Sequence, residues 1–263
     1  MGIKVYHVDA FASSPFAGNP AAVCLLPKPF DDAWMLGLAR EFNLSETAFL
    51  VRIGDEFQLR WFTPKVEVEL CGHATLASAH VLWETGELKQ GQVVRFRTRA
   101  GPLSARLHGG WIEMNFPAEP ESPCKAPPAL LEALGVTPKY VGRNRFDYLV
   151  EVEDEDVVRR LKPDFVKLAE STNRGVIVTS TSCSDDYDFV SRFFAPAVGV
   201  DEDPVTGSSH CCLAPYWMKR LRRRELTGYQ ASSRGGIVKT KVLKERVLLM
   251  GKAITIMAGE LVV

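Results

Sequence analysis

The sequence predicts a fold of the α+β class that is built from two copies of one unit of strands and helices. The string Arg-aromatic-Phe-x-Pro occurs at Arg60–Pro64 (RWFTP) and again, half a chain later, at Arg192–Pro196 (RFFAP). Each string is followed by a glycine that opens an apolar stretch of small residues with helical character. A proline-rich segment lies between the two copies. Self-similarity of this kind indicates an internal duplication.

The expected elements follow the same order in each copy. The first copy has predicted strands over 47–51, 93–98 and 111–116, with a central helix over 74–84. The second copy has predicted strands over 175–179, 236–242 and 246–255, with a central helix over 209–221. Both central helices lack a polar face, so we expect the sheet of its own half to surround each of them.

The domain boundaries follow from the proline-rich segment, because prolines lack an N–H donor and resist helix and sheet alike. We expect an N-terminal lobe over 1–117, a linker over 118–128 and a C-terminal lobe over 129–252. The last strand, over 253–263, is expected to join the N-terminal lobe. Helix starts present unsatisfied N–H groups and a partial positive charge, so two facing starts would bind a carboxylate between the lobes.

Composition excludes several classes of function. Lys plus Arg equals Asp plus Glu, at 32 each, so the chain lacks the basic excess expected of a nucleic-acid partner. No apolar run approaches the length that spans a bilayer, and no targeting signal is recognised, so we expect a cytoplasmic protein without a membrane partner. The six cysteines show no regular spacing and are expected to be reduced thiols.

Four segments give the chain a specific resemblance. They are Phe16–Pro20 (FAGNP), Asn43–Thr47 (NLSET), Glu69–Thr75 (ELCGHAT) and Asp203–Ser209 (DPVTGSS). In this order they resemble the signature segments of the phenazine-biosynthesis PhzF-like isomerase family, and the resemblance extends to the ending Ala253–Glu260. It implies a diaminopimelate-epimerase-like fold, in which each of two lobes is a sheet wrapped around a central helix. It also implies a homodimer that needs no cofactor and no metal.

The resemblance also implies the roles of the site residues in proton transfer on a small carboxylated substrate. Glu46 matches the general acid/base, and Asp203 and His73 match assisting groups. The groups expected to contact the substrate are Asn19, Cys71, Gly72, Gly207, Ser208 and Ser209. Taken without the resemblance, Glu46 could be a solvated charge or part of a capping box, and Asp203 could start a turn.

Cys71 leaves a second reaction open. Amino-acid epimerases and racemases of this fold use paired thiols, one at each helix start, and here the second start offers Thr206 and Ser208 instead. Cys71 is therefore either a reactive thiol or a small buried apolar residue. A thiol-based epimerase or racemase and a non-catalytic binding module are the alternatives to the isomerase. The His and Cys spacings do not match those of common metal sites, so no metal is expected.

Overall fold

The computed structural model describes residues 2–262, which form two compact units. The first unit comprises the chain up to Phe116 together with the stretch from Met250 onward, and the second unit is Pro117–Leu249. No helix within residues 2–262 has the length and apolar character needed to cross a membrane.

Strands outnumber helices in both units within residues 2–262. The first unit contains, in chain order, β1 (Lys4–Ala10), β2 (Asn19–Leu26), α1 (Asp32–Phe42), β3 (Glu46–Ile53), β4 (Glu56–Phe62), β5 (Glu67–Val68), α2 (Gly72–Glu84), β6 (Val94–Thr98), β7 (Gly101–His108) and β8 (Trp111–Pro117). Then follow β9 (Ser122–Pro123), α3 (Pro128–Leu134), β10 (Tyr140–Arg143), β11 (Asp147–Glu151), α4 (Glu155–Arg160), α5 (Phe165–Ser171), β12 (Gly175–Thr181), β13 (Phe189–Phe194), a 3-10 turn (Pro196–Val198), α6 (Gly207–Leu221), β14 (Glu225–Gln230), β15 (Gly236–Val242) and β16 (Arg246–Gly251). The chain ends with β17 (Ala253–Glu260), which belongs to the first unit and pairs with β1.

One pattern of strand pairing occurs in both units. In the first, β1–β2 is antiparallel, β2–β3 parallel, β3–β4 antiparallel, β4–β6 parallel and β6–β7 antiparallel. In the second, β10–β11, β11–β12, β12–β13, β13–β14 and β14–β15 alternate in the same way. Parallel neighbours need a crossover, and helices supply it. Helix α2 joins β4 to β6, and helix α6 joins β13 to β14 at the equivalent place.

The two crossover helices are the cores of their units. Helix α2 is buried from His73 to Trp83 except at His80, and it packs on β1, β2, β3 and β17. Helix α6 is buried from Ser209 to Trp217 and packs on β14 and β15. Both helices begin at the glycine that the sequence predicted. The apolar small-residue stretches therefore form surrounded helices, as expected.

A proline inside α6 links this helix to the start of the second unit. Pro215 has no N–H, so the carbonyl of Cys211, four residues earlier, loses its helical donor. The backbone N–H of Glu119 donates to that carbonyl at 3.0 Å. A buried carbonyl is thus satisfied from outside the helix, and the chain just after Pro117 is held against α6.

The repeated Arg-aromatic-Phe-x-Pro string has the same structural role in both units. Arg60 donates from Nε and Nη2 to the two carboxylate oxygens of Glu67, and Arg192 makes the same fork with Glu202. Each guanidinium also lies over the phenylalanine two residues later, at 5.1 Å in the first unit and 4.9 Å in the second. In each unit the arginine of the string therefore forms an ion pair that links the strand before the central helix to the segment between that strand and the helix.

Two segments differ from the sequence-based expectation. The strand predicted over 246–255 is interrupted at Lys252, whose carbonyl accepts from the N–H of Ala12. Next to it, a Cβ on Gly251 would lie 2.4 Å from the ring of Phe11, so the backbone packs closely there. The proline-rich segment 118–128 also contains regular structure. Residues Ser122–Pro123 pair with β10, and α3 begins with Pro128, where a helix needs no donor.

Candidate active site

The first candidate group surrounds the start of α2. Cys71 is the extended N-cap residue, its side chain makes no capping hydrogen bond, and Gly72 is the first helical residue. The first turn of α2 contains no acidic residue. The hydroxyl of Thr75 donates to the Cys71 carbonyl and is thus used within the helix.

His73 is the centre of this group. Its side chain is 5% exposed, and Asn19 Nδ2 lies 3.2 Å from its Nδ1. On the same edge of the ring, Cys71 Sγ lies 3.5 Å from Nδ1. On the other edge, Glu46 Oε2 lies 3.3 Å from Nε2. Burial lowers the pKa of His73 to about 3, so the imidazole is neutral at neutral pH and its contact with Glu46 is not an ion pair.

The neighbours of the ring fix its tautomer. With Asn19 Nδ2 as the donor to Nδ1, the proton of the neutral ring is on Nε2. This N–H is directed to the side of Glu46. Among residues 2–262, Nε2 has no hydrogen-bond partner. Its 3.3 Å contact with Glu46 therefore has the length but not the angle of a hydrogen bond. Such loose alignment is common in unliganded acid/base sites.

Strand geometry brings Asn19 and Glu46 to His73. Asn19 begins β2, Glu46 begins β3, and these parallel strands place Ala21 beside Glu46. The turn before Asn19 is fixed by Asp9, whose buried carboxylate accepts from the N–H of Phe16 at 2.8 Å. Gly18 has φ +66°, and a Cβ there would lie 2.2 Å from the Ala10 carbonyl oxygen, so only glycine fits.

The second candidate group lies at the start of α6 in the second unit. Thr206 is the N-cap residue, and its hydroxyl donates to the carboxylate of Asp203. Gln230 holds both residues, because it accepts from the N–H of Thr206 at 2.9 Å and donates to the Asp203 carbonyl at 2.7 Å. Asp203 thus acts within the turn that leads to Gly207, the first residue of α6. Sequence reasoning did not identify Gln230, which lies outside the four signature segments.

Ser208 and Ser209 have different surroundings. Ser209 is 1% exposed and its hydroxyl donates to the Thr206 carbonyl at 2.8 Å, so this proton is used inside the helix. The half-buried Ser208 accepts a hydrogen bond from Arg174 Nη2 at 3.2 Å. A hydroxyl that accepts from arginine retains its own proton for donation, so Ser208 is the better placed of the two to bind an anion.

Arg174 was missed by the sequence analysis, and it is held firmly. It forks onto the buried carboxylate of Asp147 through Nε and Nη2, the Nε contact being 2.7 Å. Its guanidinium lies 4.7 Å from the ring of Phe146 and 5.8 Å from that of Phe193. No motif marks a single arginine before a strand. Its position becomes informative only when the strands of the second unit are matched to the equivalent strands of the first.

That comparison shows equivalent positions with different chemistry. Asn19 and Asp147 begin the equivalent strands β2 and β11. Glu46 begins β3, Arg174 directly precedes β12, and each contacts the second residue of its unit's central helix. In the first unit these contacts join a carboxyl group to an imidazole. In the second they join a guanidinium to a hydroxyl. The duplication has therefore produced one group suited to proton transfer and one suited to anions.

The first group is also a possible set of metal ligands. One ligand atom from each of Glu46, Cys71 and His73 can be chosen so that the three lie within 4.8 Å of one another. Within residues 2–262, no other three side chains of His, Cys, Asp or Glu meet this criterion. The spacing of these residues along the chain does not match that of common metal sites, whereas the fold brings Glu46 close to Cys71 and His73.

Comparison with known proteins agrees with this fold. A model of the phenazine biosynthesis-like protein family, PhzC-PhzF, matches residues 8–259. An uncharacterized isomerase of Halalkalibacterium halodurans is 53% identical over 99% of both chains. A crystal structure of a PhzF-family phenazine biosynthesis protein from Enterococcus faecalis is 40% identical, with a TM-score of 0.95 and full coverage of both chains. A probable proline racemase from Agrobacterium radiobacter is 12% identical, with a TM-score of 0.66 over 98% of this chain and 92% of that one.

These similarities define the class of the protein as an isomerase with an α+β, diaminopimelate-epimerase-like fold, and they confirm the predicted fold class. The chain belongs to the phenazine biosynthesis-like PhzC-PhzF family. The likeness to the proline racemase shows a shared fold only.

The buried histidines predict how stability depends on pH. Burial lowers the pKa of His73 to about 3 and that of His210, in α6, to about 4, whereas an unfolded histidine has a pKa of about 6.5. The unfolded state therefore takes up protons first, and the free energy of unfolding falls as the pH drops below about 6.5. Between about pH 6.5 and pH 5 the loss is on the order of 1–2 kcal/mol per histidine.

Urea titrations across this range measure that loss. In the His210→Asn variant, which keeps a donor for the Thr206 carbonyl, the loss is expected to be about half as large. The control is His108→Gln, at an exposed position, which should leave the pH dependence as in the wild type. A wild-type stability that does not change between neutral pH and pH 5 would contradict the neutral state of these buried rings.

Proposed function

We propose that the protein is a cofactor-independent isomerase that moves a proton on a small carboxylated substrate, with Glu46 as the general acid/base. The observation that carries this proposal is the contact at 3.3 Å between the Glu46 carboxyl group and Nε2 of a neutral, buried His73. A proton carrier must gain and lose its proton near one carbon atom of the substrate. A neutral imidazole donor can stabilise the carboxylate after it has released its proton.

The neutral state of His73 supports an assisting role for this residue. An imidazolium beside Glu46 would hold the carboxylate as an ion pair and weaken it as a base. A neutral ring can donate only one hydrogen bond, and substrate can replace Glu46 as the acceptor of that bond. Asn19 fixes the tautomer that provides this donor, so we assign it a positioning role. Gly72, as the first residue of α2, leaves room for substrate to approach the backbone N–H groups.

The second unit supplies groups suited to the substrate carboxylate. We assign this binding role to Ser208 and to the backbone of Gly207, with Asp203 and Ser209 shaping the turn and the first helical turn around them. Arg174 joins this group because it contributes a held guanidinium next to the Ser208 hydroxyl. Charged donors bind carboxylates more strongly than neutral ones.

A thiol-based epimerase is the second candidate, and the position of Cys71 beside His73 is the observation in its favour. It requires a second acid/base thiol. Cys211 and Cys212 are buried inside α6, and burial raises the pKa of both, that of Cys211 to about 12. The start of α6 carries hydroxyls instead. These facts favour Glu46 as the proton carrier. A homodimer, a cytoplasmic location and independence from cofactors remain parts of the proposal.

The proton carrier is identified by exchange of solvent deuterium into carbon-bound positions of a panel of amino acids and aromatic acids. Glu46→Gln keeps the size of the side chain but cannot titrate, so exchange should slow by at least about 100-fold. Cys71→Ala should change the rate by no more than about threefold. Circular dichroism checks that both variants are folded. Normal exchange by Glu46→Gln with none by Cys71→Ala would instead establish the thiol mechanism, and no exchange by the wild type on any member would favour a binding module.

The role of Arg174 is tested with whichever acid the wild type exchanges. Loss of a charged hydrogen bond is worth about 1.5–3 kcal/mol, so Arg174→Gln should raise KM by about 10-fold or more while kcat falls much less. The control is Arg145→Gln, which removes an exposed arginine paired with Glu119 and should leave both constants unchanged. Equal losses of kcat and kcat/KM in Arg174→Gln would show that Arg174 does not act by binding the ground-state carboxylate.

A further inference from the structure

The sheet of the first unit leaves one position of α2 uncovered. From His73 to Trp83, His80 is the only residue that is not buried. Together with Trp83 and Glu84 it lines a cavity of about 380 Å³ beside the last turns of the helix. The equivalent position in α6, eight residues after its first glycine, is the buried Pro215. The uncovered position is therefore particular to the first unit.

Apolar side chains from the helix, from three strands and from the segment after β1 form much of the cavity wall. They are Ala12, Trp83, Leu107, Ile112 and Ile254. An apolar wall with a few polar groups is typical of small-molecule sites, whose volumes are about 300–1,000 Å³. The volume of this cavity is at the lower end of that range, so the cavity suits a ligand of amino-acid size.

Glu84 gives the cavity a negative charge. Its carboxylate accepts a hydrogen bond from the hydroxyl of Thr255, whose oxygen lies 3.2 Å from Nε2 of His80. Because the Thr255 proton is directed to Glu84, the Thr255 oxygen accepts from the Nε2–H of His80. An unperturbed histidine is mostly neutral at neutral pH, and burial lowers the pKa of His80 further. No lysine or arginine within residues 2–262 pairs with Glu84, so no cation balances its charge.

Lys252 gives the same cavity a positive charge. It lies between β16 and β17, and its backbone carbonyl accepts from the N–H of Ala12 at 3.1 Å. Its ammonium group lies 5.1 Å from the centre of the Trp111 ring, in a cation–π contact. In the described part of the chain it pairs with no carboxylate. Two opposite charges thus line one cavity without neutralising each other.

We propose that this cavity binds a free amino acid with an apolar side chain. The ammonium group of the ligand pairs with Glu84, its carboxylate pairs with Lys252, and its side chain packs against the apolar wall. Neither Glu46 nor His73 lines the cavity, so the site is separate from the first candidate group. Binding goes beyond the proposed isomerase reaction and does not depend on it.

Binding is measured on the full chain by isothermal titration calorimetry with leucine and phenylalanine, and we expect saturable binding. Two analogues of leucine each lack one charge. Isocaproate lacks the amino group and isoamylamine lacks the carboxylate, so each should bind at least about fivefold more weakly than leucine.

Lys252→Met should weaken leucine binding by a similar factor and leave isoamylamine binding unchanged, because isoamylamine has no carboxylate. Glu84→Gln should weaken leucine and isoamylamine and leave isocaproate unchanged. Both positions are exposed, so we expect both variants to fold. The control is Lys28→Met, which removes an exposed lysine of the first unit away from the cavity and should bind leucine as the wild type does.

Several results would overturn the proposal. These are no binding of either amino acid at millimolar concentration, analogues that bind as tightly as leucine, and leucine affinity that survives Lys252→Met. Leucine binding that is lost in Arg174→Gln but intact in Lys252→Met would place the ligand at the second candidate group instead. The two variants of the cavity lie outside both candidate groups, so failure here leaves the isomerase proposal untouched, and failure of isotope exchange leaves the cavity proposal untouched.

Discussion

The His73 ring lies in the first turn of a helix that is buried along nearly its whole length, and the loss of water around the ring keeps it neutral. The other features of the first group depend on this constraint. A neutral ring has one donor and one acceptor, so Asn19 on one edge determines what faces Glu46 on the other. Packing of α2 against its sheet therefore determines the protonation state of His73 in the first turn of the helix.

Duplication explains how one fold carries two kinds of group. Both units use helices as the crossovers between parallel strands, and both place a side chain from the start of a strand against the second residue of the central helix. What differs is the side chain. Glu46 and His73 suit proton transfer, whereas Arg174 and Ser208 suit a negative charge. The backbone thus fixes where contacts occur, and single residues decide what each contact does.

Much of this arrangement was predictable from the sequence. The two Arg-aromatic-Phe-x-Pro strings and the glycines before small-residue stretches predicted the duplication and the two buried helices. Contacts between distant parts of the chain were not predictable. Arg174 has no local motif, and Gln230 reaches Thr206 across 24 positions. The grouping of Glu46 with Cys71 and His73 was not predictable from spacing along the chain, because Glu46 begins β3 whereas the other two lie at the start of α2. Pro215 and Pro128 also show that a proline is tolerated where its missing donor is supplied or unnecessary.

The central claim is that His73 is a neutral ring protonated on Nε2. Nitrogen NMR of the protein with labelled histidine measures this directly, because protonated and unprotonated ring nitrogens differ strongly in chemical shift. We expect one protonated nitrogen, Nε2, and one unprotonated nitrogen, Nδ1, with no change between about pH 7.5 and about pH 5. The Asn19→Ala variant removes the side chain that contacts Nδ1, so a change in the nitrogen shifts of one histidine identifies that ring as His73. A doubly protonated ring above about pH 6, or a proton on Nδ1 in the wild type, would contradict the account.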